Sequence, residues 1–349
     1  MLGIAARNLG LEPCFLDPTA GSPDAAVGEL TVSDYSDASA LARLATADVV
    51  TFEFENVPVE AVRALEQQTQ VFPGSRALEV AQDRLNEKEC FRSLGIGTPA
   101  FEAVESWAEL EAALGRVGLP AVLKTRRLGY DGKGQAVLRD LAGARAAFER
   151  LGKAPLILEG FVRFQRELSI VAVRGRGGET ACYPLVENHH REGILRKTLA
   201  PAPHVTASLQ AQAEQHVQKL LTRLDYVGVL ALELFEVDGA LLANEIAPRV
   251  HNTGHFTIEG AGTSQFENHL RAILGLPLGS TKVRSPSAML NLIGAAPDEA
   301  ALLAVPDAHL HWYGKEPRPG RKVGHVTVLA EDFATLALRV AELERVIGQ

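Results

Sequence analysis

Over the first hundred residues, short apolar runs alternate with amphipathic stretches. Segments 12–16, 49–54 and 70–72 read as strands, and 38–44, 59–67 and 84–94 as helices. The last of these helices has Asp83 as its N-cap and Gly95 as its stop. Strand–helix alternation of this kind predicts a parallel sheet covered on both faces, a doubly wound α/β domain. The run Gly95-Ile96-Gly97-Thr98-Pro99 breaks the pattern and marks a boundary. Beyond it the chain is richer in strands: 121–124, then 155–159, 166–174 and 180–187, with a helix at 140–150. A long helix (208–224) precedes two apolar strands, 227–237 and 240–247, joined at Asp238-Gly239, a strong hairpin signal. Strands near 288–293 and 323–329 and a helix at 332–347 close the chain. The expected domains are 1–98, 99–185 and 186–349, with α/β and α+β character.

Composition narrows the function classes. A net charge of −8 argues against a sequence-independent grip on nucleic acid, which needs a basic face. No apolar run reaches membrane-spanning length. Cys14, Cys90 and Cys182 are odd in number, widely spaced and without metal-ligand spacing, which fits a reducing cytoplasm.

Five groups carry candidate chemistry. The strand Val122-Leu123-Lys124 runs towards the loop Gly129-Tyr130-Asp131-Gly132-Lys133-Gly134-Gln135. Its glycines allow a backbone to fold over phosphate oxygens, with Lys124 and Lys133 as point charges; a plain hairpin tip explains the loop equally well. Glu233 and Glu245 lie in apolar strands, where an unpaired carboxylate is costly. They suit a magnesium clamp, although pairing of one with arginine and exposure of the other is the simpler reading. Glu159-Gly160-Phe161-Val162 and Glu167 form a strand end able to meet a nucleotide, or simply water. His189 and His190 are adjacent, so on an extended chain they point apart, and zinc is disfavoured. Lys315, Arg318, Arg321 and Lys322 make a local basic cluster on an acidic protein, suited to an anionic substrate or to an exposed loop.

Together these pieces resemble the ATP-grasp superfamily and, within it, the carboxyaminoimidazole ribonucleotide synthase family. The resemblance spans nearly the whole chain. Its most specific stretches are 51–58, 129–135, 187–195, 244–254 and 318–325. It implies an ATP-grasp fold preceded by a doubly wound domain that lacks its first strand. It also implies ATP contacts at Arg84, Lys124, Gly129, Tyr130, Asp131, Gly132, Lys133, Gly134, Gln135, Glu159, Gly160, Phe161, Val162, Glu167, His190, Asn244 and Glu245. Glu233 and Glu245 are then the ligands of Mg2+ or Mn2+. Tyr130, Arg249, His251, Lys315, Arg321 and Lys322 hold aminoimidazole ribonucleotide and a bicarbonate-derived intermediate, with Tyr130, Arg249 and Lys322 as the catalytic candidates. The implied protein is a cytoplasmic homodimer. The alternatives are a formate-using ATP-grasp transformylase acting on glycinamide ribonucleotide, and a nucleotide-binding subunit without catalysis.

Two structural expectations follow. A two-residue turn at Asp238-Gly239 sets Glu233 opposite Asn244 and puts Glu245 on the other sheet face. A metal shared by both acids therefore needs a three-residue connection, 238–240, unless a bulge compensates. Family members also open with a strand and a glycine-rich loop, whereas this sequence opens within the helix that follows. The expectation is a gap in the first sheet, and a natural start roughly 10–20 residues upstream.

Overall fold

The computed structural model describes residues 1–129, 134–295 and 298–348. Helix Leu2–Asn8 leads to the parallel pair Cys14–Asp17 and Glu29–Val32. The expected strand at 49–54 reduces to one parallel bridge, Val50 with Val71, in which Val50 N donates to Gln70 O and Phe72 N to Val50 O. No ladder joins the two parts among the described residues. Between them lies a cavity of about 420 Å3 lined by Leu2, Phe15, Val50, Phe52 and Leu65, so the sheet has the expected gap.

A four-stranded antiparallel sheet follows, in the order Phe101–Val104, Leu156–Gly160, Ala121–Thr125, Gln135–Leu138. Helices Trp107–Val117 and Leu141–Leu151 pack on it through Leu110, Leu114, Ala144 and Ala147.

The largest sheet has nine strands among the described residues, with Ala240–Ala247 at one edge and Ala308–Trp312 at the other. Arg166–Arg174 and Thr180–Cys182, read from sequence as part of 99–185, pair into this sheet instead. Arg166–Arg174 runs antiparallel to Gly228–Val237 over nine residue pairs, from Gly228 opposite Arg174 to Glu236 opposite Arg166. Over 170–173 and 229–232 both strands are apolar on both faces. Leu230, Leu232 and Ile170 meet helix Ala207–Arg223 on one side; Val229, Ala231 and Val171 meet helix Gln265–Ile273 on the other. That double burial explains why their sequences run on without polar alternation.

The hairpin corrects the expected register. Val237 pairs with Ala240, so the turn has two residues, Asp238 (φ 50°) and Gly239 (φ 77°). Two successive positive φ values define a type I′ turn, the one whose twist suits a tight hairpin. The register then slips inside the ladder: Leu234 faces Ala243 but Leu232 faces Ile246. Asn244 and Glu245 thus oppose Glu233 alone, as a β-bulge. Ala243 and Ile246 pack into the same core cluster, and Ala247 into the one shared with Ala231. Glu245, two residues before Ala247, therefore shares a face with Glu233, two residues after Ala231.

Candidate active site

Three segments converge on the bulge. Helix Arg84–Ser93 begins where expected: Asp83 caps it by accepting from Leu85 N at 3.0 Å, and Gly95 follows it at φ 64°. Asp83 also receives Arg126 Nε and Nη2 at 3.0 and 2.8 Å, tying the helix start to the strand that carries Lys124. Arg84 Nη1 donates to Glu245 Oε2 at 2.9 Å and its Nη2 to Gly129 O at 3.3 Å. Lys124 Nζ donates to Glu159 Oε2 at 2.9 Å, and the same oxygen lies 3.5 Å from Lys88 Nζ. Glu159 Oε1 is buried with no partner among the described residues, an acceptor left open beside a lysine.

The electrostatics separate these carboxylates. Burial would raise the pKa of Glu159, yet Lys88 and Lys124 outweigh it and hold that carboxyl at about 2. For Glu245 burial is likewise overcome, by Arg84 and Lys124, and its pKa falls. Its side chain keeps 40% of its surface accessible, although protein crowds it from several segments, as at the floor of an open cleft. No lysine or arginine pairs with Glu233 among the described residues. Burial, then the charge of Glu245, pushes it up to about 8, offset only in part by the charge of His190, and its nearest ionic partner is His251 Nε2 at 3.4 Å. That imidazole is held well below its usual pKa by burial and by Arg249 and Lys322. Two facing carboxylates, one of them uncompensated, fit a divalent cation that takes oxygen ligands and shares them with phosphate. No cluster of three or more metal-ligating side chains occurs among the described residues.

The remaining candidates divide into groups. His190 Nδ1 pairs with Glu167 Oε2 at 2.6 Å; burial opposes protonation, but the carboxylate outweighs it and raises the histidine's pKa. Arg249 Nη2 binds Glu55 at 2.7 Å, which brings the 51–58 stretch to the cleft. Lys322 opens strand Lys322–Leu329, close enough to depress His251, His255 and His325. Gly160 ends its strand, with Phe161 exposed and Val162 half-buried beyond it, and Gln135 pairs with Lys124. Gly134, at φ 70°, accepts from Thr125 N at 2.8 Å. Tyr130, Asp131, Gly132 and Lys133 lie outside the described residues. Lys315 sits 5.6 Å over the Tyr313 ring and Arg321 donates to Glu316 O; no described contact joins either to the carboxylates.

Sequence reading missed a second polar cluster. Tyr313 OH bonds His325 Nδ1 at 2.7 Å, His311 stacks on His325 with centroids 4.5 Å apart, and His311 Nε2 meets Glu259 at 2.6 Å. The histidines stand on neighbouring strands, so only the pairing of His311 with His325 reveals the cluster. Asn188, read as part of a family stretch, proves to be a buried junction. Its side chain donates to Ser169 Oγ at 2.6 Å and accepts from Thr198 and Thr253 hydroxyls at 2.9 and 2.6 Å. Asn188→Leu should strand these hydroxyls and cost roughly 3 kcal/mol, measurable by urea unfolding.

Known proteins match the chain over nearly its whole length. The family model for the ribonucleotide synthetase preATP-grasp domain matches residues 1–82, that for the ATP-grasp domain 89–266, and that for the phosphoribosylaminoimidazole carboxylase C-terminal domain 287–339. The N5-carboxyaminoimidazole ribonucleotide synthase of Pseudomonas aeruginosa is 57% identical over 348 residues, 99% of this chain and 96% of that protein. The enzyme of the same name from Bacillus subtilis is 39% identical over 340 residues, covering 95% and 88%. The crystal structure of the Thermus thermophilus synthetase superposes with a TM-score of 0.97 at 55% identity, over 100% of this chain and 96% of that one. An Aspergillus clavatus synthase, crystallised with ADP and 5-aminoimidazole ribonucleotide, superposes with a TM-score of 0.92 at 32% identity, covering 100% and 95%.

Proposed function

The chain belongs to the N5-carboxyaminoimidazole ribonucleotide synthase family of ATP-grasp ligases, and from that membership we propose how its cleft works. It is an ATP-dependent carbon–nitrogen ligase that carboxylates 5-aminoimidazole ribonucleotide in purine biosynthesis. ATP lies between the central sheet and the hairpin, with Lys124 and Arg84 towards its phosphates and Glu159 to Val162 and Glu167 along its base and sugar. Gly129, Gly134, Gln135 and His190 complete that wall. Glu233 and Glu245 would hold Mg2+ or Mn2+, which would supply charge neutralisation to the transferring phosphoryl group. The ribonucleotide and the bicarbonate-derived intermediate lie towards Arg249, His251 and Lys322, with Lys315 and Arg321 as further binding residues.

The observation that carries this reading is the convergence of Arg84 and Lys124 with Glu233 and Glu245 at one bulge, supplied by separate segments. Bicarbonate is a poor electrophile. Its oxygen attacks the γ-phosphorus, ADP leaves, and the carboxyphosphate so formed carries phosphate as a leaving group. The substrate amine then attacks the carboxyl carbon, phosphate departs, and the amine's proton passes to that phosphate. Fixed cations do the work here, because phosphoryl transfer needs positioning and neutralisation more than covalent help.

The test is phosphate release from ATP that depends on both aminoimidazole ribonucleotide and bicarbonate. Release supported by formate and glycinamide ribonucleotide would favour the transformylase alternative, and none at all a non-catalytic subunit. Lys124→Ala should raise the Kd for ATP by about 10- to 100-fold, the worth of a charged hydrogen bond to phosphate, read by calorimetry. The proposal includes a cytoplasmic homodimer, which sedimentation checks. No described helix is long and apolar enough to cross a membrane.

A further inference from the structure

Helix Arg84–Ser93 turns an unusual face to the hairpin. Arg84, Glu87 and Lys88, at i, i+3 and i+4, share one side, which on a surface helix is the solvated side. Here it is buried: Glu87 is 2% and Lys88 0% exposed. What they meet is the outer edge of strand Ala240–Ala247, where no strand pairs with it among the described residues. Ile246 N donates to Glu87 Oε1 at 2.7 Å, and Lys88 Nζ donates to Asn244 O at 2.7 Å. Further along, Ala243 N donates to Gly97 O at 2.7 Å and Thr98 Oγ1 to Ala243 O at 2.9 Å.

Glu87 and Lys88 thus take the place of a strand on either side of Glu245. Among the described residues they alone bond the outward backbone of Asn244 and Ile246. Packing alone does not require them, since an apolar pair would fill the same buried face at lower desolvation cost. Side-chain partners do what a regular strand does not. They accept the shifted spacing of a bulge, whose outward groups fall out of step with a ladder.

We propose that Glu87 and Lys88 are positioning residues that lock the backbone around Glu245 in its bulged register, so that its carboxylate and that of Glu233 meet one divalent cation. This inference rests on the metal reading of Glu233 and Glu245. It assigns to two residues of helix Arg84–Ser93 a share in the metal affinity of a hairpin some 160 positions away in sequence.

The experiment uses the full chain saturated with ADP, titrated with Mn2+ and followed by electron paramagnetic resonance, beside steady-state kinetics. Glu87→Leu and Lys88→Met should each weaken Mn2+ binding and lower kcat by about 10- to 100-fold, as for residues supporting metal ligands, with KM for the ribonucleotide little changed. Glu87→Gln keeps the acceptor for Ile246 N and should restore both. Unchanged Mn2+ affinity in Glu87→Leu, or a Glu87→Gln as defective as the leucine variant, overturns the proposal. If Glu87→Leu does not fold, Lys88→Met decides by Mn2+ affinity alone, since its kcat also carries the loss of Glu159's second cation. Glu233→Gln is the control: if it leaves Mn2+ affinity intact, the metal reading itself fails. If it weakens binding while the helix variants do not, only this inference fails.

Discussion

Glu233→Gln should lower kcat by roughly 10²- to 10³-fold while leaving the melting temperature where it is or raising it. The two effects separate because of the position of Glu233. Its carboxyl is only 16% exposed, faces Glu245 across the bulge and is pushed up to about 8, so the metal-free fold tends to hold it as the neutral acid. Glutamine copies the shape and neutrality of that acid but lacks the charge that a divalent cation requires. A single-turnover assay of phosphate release, run beside calorimetry in metal-free buffer, separates the two. A variant that loses activity only in proportion to lost stability would show that Glu233 serves the fold and not the chemistry.

The second large effect concerns Glu159, which is 3% exposed and placed between Lys88 and Lys124. Glu159→Leu leaves two lysines without their carboxylate, one of them fully buried, and should cost about 3–5 kcal/mol. Its pH signature has a definite sign. The folded pKa, about 2, lies below the ordinary value of 4.5. The stability it supplies is therefore present above that ordinary value and is lost as pH falls towards 2. Urea unfolding of wild type and variant between pH 7 and pH 3 checks this. The difference between them should shrink on acidification, and a difference that stays constant or widens refutes the assignment.

Much of this frame was legible in the sequence because it depends on local rules. The Asp83 cap, the Gly95 stop and the existence of a hairpin at Asp238-Gly239, though not the length of its turn, each follow from what one or two residues do to their own backbone. The bulge was not legible. Nothing in Leu241-Leu242-Ala243-Asn244-Glu245-Ile246 marks a slipped ladder, which arises from two core faces and a helix packed around the strand. For that reason the metal argument demanded the right face but chose the wrong device, a longer turn. Glu87 and Lys88 escaped for a related cause. Charged residues at helical spacing look the same whether they face water or the edge of a strand. Strand 49–54 was overread, because apolar character alone does not supply a neighbour to pair with. Of the candidate site, Arg84, Lys124, Glu159, Glu233 and Glu245 converge, whereas Lys315 and Arg321 have no described contact with them.

The shared carboxylate of Glu159 has one more consequence, for the proposed turn of Lys124 towards a phosphate. A lysine that leaves its only counter-ion abandons a buried anion, and that desolvated charge opposes the departure. Glu159 has a second cation already beside it, since Lys88 Nζ stands 3.5 Å from the same oxygen and is anchored at its other side by Asn244 O. Lys124 is therefore the replaceable partner and Lys88 the permanent one. The protein keeps a spare counter-charge in place, which in the proposed site would let Lys124 move between the carboxylate and a phosphate without stranding either.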